Sequence, residues 1–246
     1  MTMVNFVPVI AESGMTYAFQ NSDMLGQIIC IVLFLFSIAV WVVMLEKIIT
    51  LKNVKRDTIN FAAAFARRRD PLQLKDQADQ DNSPAARVFQ AACDRIEAFH
   101  LREQPGGPRR ALSDDEIQIV KATMSQSVEE QILLLEKRMM FLATAVSASP
   151  FLGLFGTVWG ITLAFTNLAI QGRADIQTLA PGVSGALLTT VIALFVAIPS
   201  LVGYNIIANS IKDLTVRLDN FAENVAARLK IEQMESIQAY EKRNRE

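Results

Sequence analysis

MLGQIICIVLFLFSIAVWVVML, residues 24–45, runs for 22 residues without an Asp, Glu, Lys or Arg. As a helix it would extend roughly 33 Å, just over the ~30 Å hydrocarbon core of a bilayer. Two further charge-free runs follow, residues 139–172 with 34 residues and 176–211 with 36. Both exceed one crossing, so part of each helix must lie beyond the hydrocarbon or be covered by protein. The composition agrees, with 51% hydrophobic residues against 20% charged in a chain of 246, a balance shifted towards membrane proteins. Buried helices of a large soluble protein would need a core that this chain is too short to supply. The fold class expected is therefore an all-α membrane protein with three transmembrane helices.

Residues 1–23 hold no Lys or Arg, so the first apolar run lacks the basic flank of a signal peptide and is also too long for its apolar region; it is expected to stay in the mature protein. Pro8, Gly14 and the apolar Phe6, Val7, Ile10, Tyr17 and Phe19 suit a short segment lying on the membrane surface. Cys30 in the first span and Cys93 in the polar stretch have neither disulfide-framework nor metal spacing. The single histidine, His100, has no neighbouring ligand set, and a solvated helix position is expected for it. No metal site is assigned.

The basic residues set an orientation. Of 24 Lys and Arg, none precedes the first span, sixteen fall in residues 46–138, one in the link between spans two and three, and seven from Lys212 onward. Lys47, Lys52, Lys55, Arg56, Lys137, Arg138, Lys212 and Arg217 lie near span ends, where the positive-inside rule acts. The amino terminus is expected outside and the carboxyl terminus inside.

The helical pattern of the first span is expected to continue from Lys47 to Arg69, ending at Asp70-Pro71, because the residue before proline disfavours helix. A second helix is expected from Pro84 to His100, where Val88, Phe89, Ala92, Ile96 and Phe99 recur at three- and four-residue spacing. Pro105-Gly106-Gly107-Pro108 breaks the chain, and Ser113 with Glu116 makes a capping box for the next helix. Ile117, Val120, Met124, Val128, Ile132, Leu135, Met139 and Leu142 then form one stripe, which predicts a single rod running from the cap into the second span. Ile211, Leu214, Leu218, Phe221, Val225 and Leu229 form a near-heptad stripe beyond the third span. Helices two and three are thus expected to extend into a helical bundle outside the bilayer. Stripes this long predict self-association, with packing between the two extensions as the intrachain alternative.

No charged residue lies inside spans two and three. Their polar groups are Ser147, Ser149, Thr157, Thr162, Thr166 and Asn167 in one and Ser184, Thr189, Thr190 and Asn205 in the other. Neutral hydroxyls hold water but do not take up and release a proton near neutral pH. A proton crossing here needs a carrier from elsewhere. Gly153, Gly156 and Gly160 on span two, with Gly182, Gly185, Ala186, Ala193 and Ala197 on span three, allow close helix approach. Pro150 and Pro199 inside the spans imply kinks, tolerable where protein or water satisfies the freed carbonyls. Helices two and three are expected to line something and helix one to face lipid. No residue set has the form of a nucleophile with its base, so no enzyme, catalytic residue or cofactor is expected.

Ser147-Ala148-Ser149-Pro150-Phe151-Leu152-Gly153-Leu154-Phe155-Gly156-Thr157-Val158-Trp159-Gly160 resembles the second-span signature of the TolQ/ExbB proton-channel family, relatives of MotA. Ala180-Pro181-Gly182, Ala186-Leu187-Leu188-Thr189-Thr190, Ala197-Ile198-Pro199 and Tyr204-Asn205 resemble that family's third span, in the same order. The resemblance implies a homo-oligomeric ring, a pentamer, around two single-span TolR/ExbD-like partners in the bacterial inner membrane. Each partner would bring one membrane-embedded Asp, and a TolA/TonB-like transducer would take the work onward. Thr157 and Thr190 would face that Asp, with Thr189 and Ser184 also lining the pathway. The implied organisation is a periplasmic segment at 1–23, spans at 24–45, 139–168 and 182–206, a cytoplasmic domain at 46–138, a periplasmic loop at 169–181 and a cytoplasmic helix at 207–246. No nucleic-acid partner is expected.

One position departs from the pattern: Gly185 stands where TolQ and ExbB proteins mostly carry Glu. The flagellar relatives do without that Glu, and Thr189 adds a hydroxyl where TolQ often has Ala. The resemblance favours a proton, although hydroxyl-lined pores serve sodium as well. The alternative is a non-conducting scaffold of an envelope complex. A solute transporter is disfavoured by three spans without internal duplication.

Overall fold

A computed structural model of the protein describes residues 14–68, 74–103, 111–172 and 176–243. The Asp70-Pro71 and Pro105–Pro108 breaks and most of the amino-terminal segment lie outside them. Seven helices make up the described residues: α1 at 14–20, α2 at Met24–Arg67, α3 at Lys75–Gln80, α4 at Pro84–Glu103, α5 at Asp114–Glu136, α6 at Met139–Gln171 and α7 at Ile176–Arg243. Helices α2, α6 and α7 are long and apolar enough to cross a membrane. The chain is an all-α membrane protein.

The chain divides into two compact units, Met1–Lys47 with Arg138–Ile206 and Ile48–Lys137 with Ile207–Glu246. The first contains the first two charge-free runs and most of the third. Ile29 and Leu33 on α2 meet Ala193 and Val196 on α7, with Leu25, Leu152 and Ile192 around them. Phe36 and Phe141 meet edge to face, with ring centroids 5.1 Å apart. Large apolar residues point outward from all three helices: Phe34 and Val42 on α2, Phe151 and Val158 on α6, Phe195 and Ile198 on α7. Outward apolar surface is therefore not confined to helix one. Water would not tolerate so much exposed apolar surface, and lipid or other chains must cover it.

The second unit is a soluble-type helical core. Phe61 and Phe65 of α2, Phe89 of α4 and Phe221 of α7 form an aromatic cluster with centroids 5.3 to 6.0 Å apart. Edge-to-face rings at this separation add to what burial alone contributes. Val88, Ala92 and Ile96 are buried as their spacing predicts, and Phe99 is half-buried. Cys93 sits buried on α4. His100, also on α4, is half-buried.

The stripes on α5 and α7 are covered within the chain: Ile117, Val120, Met124 and Val128, and Ile211, Leu214, Leu218, Phe221, Val225 and Leu229, are buried. Two other sequence expectations are corrected. The rod expected from Ser113 into the second span is broken. The capping box forms, with Ser113 N donating to Glu116 Oε2 at 2.7 Å and Glu116 N to Ser113 Oγ at 3.3 Å. But α5 stops at Glu136, Arg138 takes a left-handed φ of 73°, and α6 begins at Met139. Residues 169–171 and 176–181, expected in a loop, are helical: α6 runs to Gln171 and α7 begins at Ile176. Gly172, at φ 63°, supplies the left-handed end of α6 that glycine adopts without penalty. Helix continues through Pro150, Pro181 and Pro199, and α3 is a short helix that no sequence pattern indicated.

A candidate ion pathway at the α6 and α7 seam

The three glycines of span two face α7 closely. A Cβ on Gly153 would lie 2.5 Å from Ala193 Cβ and 3.0 Å from Thr190 Cα. One on Gly156 would lie 2.6 Å from Thr189 Oγ1, and one on Gly160 would lie 2.7 Å from Ala186 Cβ. These are below the approach of real side chains, so glycine is what lets the helices meet. Without hydrophobic driving force in lipid, such close packing is what holds spans together.

The close approach brings three hydroxyls to two backbone carbonyls. Thr157 and Thr190 are half-buried and their hydroxyls touch. Thr157 Oγ1 also lies 3.0 Å from Gly153 O and 3.1 Å from Ala186 O. Thr190 Oγ1 is 3.1 Å from Gly153 O. Thr189, fully buried, is 3.1 Å from Gly153 O and 2.7 Å from Ala186 O. Each hydroxyl has one proton to donate and more than one acceptor in reach. The donors can therefore reorient without moving the backbone, while each oxygen keeps lone pairs for an incoming donor. Such a cluster can accept a hydrogen bond from a neutral acid or a water, but cannot itself ionise near neutral pH.

The structure brings Thr157, Thr189 and Thr190 together, with Gly153, Gly156 and Gly160 as the seam. Ser184 stands apart, half-buried and without a hydrogen bond to the threonines among the described residues. Pro150 lies one turn before Gly153 on α6 and Pro199 further along α7. Sequence reasoning missed the acceptors, Gly153 O and Ala186 O, because a backbone carbonyl leaves no mark in the residue types. It also missed the corner at the start of α2, where Trp159 Nε1 donates to Asp23 Oδ2 at 2.9 Å and Asp23 caps α2 through the N–H groups of Leu25 and Gly26, both at 3.3 Å. Among the described residues no group of three His, Cys, Asp or Glu side chains is placed to hold a metal.

Residues 80–220 match the family model described as the MotA/TolQ/ExbB proton channel family. The chain is 31% identical over 220 residues to the Tol-Pal system protein TolQ of Pseudomonas aeruginosa, covering 89% of this chain and 94% of that one. It is 30% identical to TolQ of Haemophilus influenzae, over 87% and 92% of the two chains. The biopolymer transport protein ExbB of Neisseria meningitidis is 28% identical over 86% of this chain and 94% of its own. The matched stretch contains α4 to α6 and the part of α7 that carries Thr189 and Thr190, so the hydroxyl cluster lies wholly inside it: the chain belongs to the MotA/TolQ/ExbB proton channel family.

Proposed function

We propose that this chain is the channel-forming subunit of a proton-driven motor in a bacterial inner membrane, with Thr157 and Thr190 on the conducting path. The observation that carries the reading is the contact between those two hydroxyls across the glycine seam in a member of this family. The spans hold no carboxylate of their own, so the proton carrier comes from a single-span TolR/ExbD-like partner, and the hydroxyls hydrogen-bond its neutral acid. Thr189 stabilises the seam from its buried side and Ser184 lies towards the outer end. Several copies, five by family analogy, surround two partner helices, and the outward apolar residues of α6 and α7 supply surface for that assembly. The excess of Lys and Arg after the first span supports an amino terminus outside and a carboxyl terminus inside. A TolA/TonB-like transducer would carry the work to the envelope.

The test is proton flux into vesicles containing the chain with its partner. Thr157→Val and Thr190→Val keep side-chain volume and remove the hydroxyl. Both are expected to abolish flux while native mass spectrometry still counts the full assembly. Normal flux in both variants would overturn the pore and leave the scaffold reading.

A further inference from the structure

Two buried hydroxyls find no hydrogen-bond partner among the described residues, those of Thr58 and Ser149. Thr58 lies beside a groove that Asn220 and Asn224 also line, in the second unit and away from the charge-free runs. Ser149 is different. It is fully buried on α6, in a stretch apolar enough to cross a membrane.

Ser149 is followed by Pro150, inside the helix. Proline has no N–H, so the carbonyl four residues back, that of Val146, loses the donor that a regular helix would give it. One turn of a spanning helix thus holds an unpaired hydroxyl and a carbonyl deprived of its donor. In hydrocarbon such groups are satisfied by neighbouring helices, side chains or ordered water. The turn is not isolated from the pathway. Ser149 and Gly153 are four residues apart and share a helix face, and Gly153 O is where Thr157, Thr189 and Thr190 converge.

We propose that Ser149 Oγ and Val146 O bind one water, and that this water continues the polar path from the threonine cluster towards the amino end of α6. A buried water needs at least two polar partners, and these two groups provide a donor and two acceptors. The transfer balances: an arriving proton bonds to the water oxygen, one of the water's own protons leaves towards the next acceptor, and one O–H bond forms as one breaks. Ser149 acts through the water and is a positioning residue. The proposal rests on the pore assignment to Thr157 and Thr190.

The test uses the same vesicles with chain and partner. Ser149→Ala removes one partner of the water, and Pro150→Ala removes the other by returning an N–H to Val146 O. Each is expected to lower flux about fivefold, the factor corresponding to one net hydrogen bond lost in a limiting step. Because both act on one water, the double variant should conduct no less than the worse single one. The unfolding midpoint of Ser149→Ala should lie close to that of the parent, since only one water-mediated hydrogen bond is lost, so the fall in flux is not a loss of fold. Flux at the parent level in Ser149→Ala, or losses that multiply in the double variant, would overturn the water site. Thr157→Val separates the two ideas: if it abolishes flux while Ser149→Ala does not lower it, the pore stands and the water site falls.

Discussion

Ser22 fills the space in front of Gly185. A Cβ on Gly185 would lie 2.9 Å from Ser22 Cα, in the turn between α1 and α2, and 3.1 Å from Ala18 O, in the last turn of α1. Ser22 Oγ in turn donates to Ala18 O at 2.8 Å, and the next residue, Asp23, accepts from Trp159. The Glu that TolQ and ExbB proteins mostly carry at this position could not fit beneath the turn as it stands. Gly185 and the turn are one arrangement.

Gly185→Ala is accordingly expected to cost about 1 to 3 kcal/mol, because backbone rather than a flexible side-chain tip opposes the new methyl. Gly185→Glu should displace the turn and break the bond from Trp159 to Asp23. The protein has two tryptophans, so in a Trp41→Phe background the emission of Trp159 reports the corner directly. An unchanged spectrum in Gly185→Glu would show that the turn does not depend on the missing side chain.

At the seam, Gly153→Ala would force its methyl against Ala193 Cβ and Thr190 Cα. The expected loss is again about 1 to 3 kcal/mol from overpacking, accompanied by lower flux as Thr157 and Thr190 part. Ala193→Gly removes the nearest obstructing atom and should recover part of both in the double variant. Thermal unfolding in detergent and vesicle flux, measured on the four proteins of that cycle, give the answer.

Arg138 takes a left-handed backbone at the junction of α5 and α6, and its guanidinium pairs with Glu46 at 2.5 Å with both side chains about half exposed. Left-handed backbone costs an L residue roughly 1 to 2 kcal/mol, whereas an exposed ion pair contributes about 0 to 1 kcal/mol. Arg138→Gly removes both and should leave stability near or slightly above that of the parent. Arg138→Val removes the pair while adding a β-branched side chain to the strained position, and should be clearly less stable. Equal midpoints for the two variants would mean that the junction is not left-handed in solution.

Asp213 sits between Lys55 at 2.7 Å and Arg217 at 3.1 Å. Its hydrogen bond from Lys55, then that from Arg217, hold its carboxyl below the usual carboxylate range. A depressed folded value means that the contribution is present at neutral pH, and is lost as pH falls through the unfolded value of about 3.9 and then the lower folded one. Asp213→Asn should therefore be less stable than the parent at pH 7 and converge with it in acid. The three side chains are exposed, so solvent screening keeps the difference under about 1 kcal/mol. Unfolding midpoints across that pH range would show the convergence.

The residue types alone determined the three spans, because missing charge over a bilayer's width is a property of composition along the chain. They determined the start of α5, since Ser113 and Glu116 satisfy each other within one turn, and the buried faces of α4, α5 and α7, since apolar spacing repeats with the helix. The glycines announced a close approach without saying to what. Tertiary structure decided that Gly153 meets Ala193 and Thr190, that Gly153 O and Ala186 O gather the threonine hydroxyls, and that Ser22 occupies the place of a side chain at 185. It also decided that the long stripes are covered within one chain, and that the rod breaks at Arg138 where neither glycine nor proline marks it. Periodicity records which face of a helix is apolar. Which backbone atoms lie opposite that face depends on the register between helices distant in sequence, and register is fixed only when the helices pack.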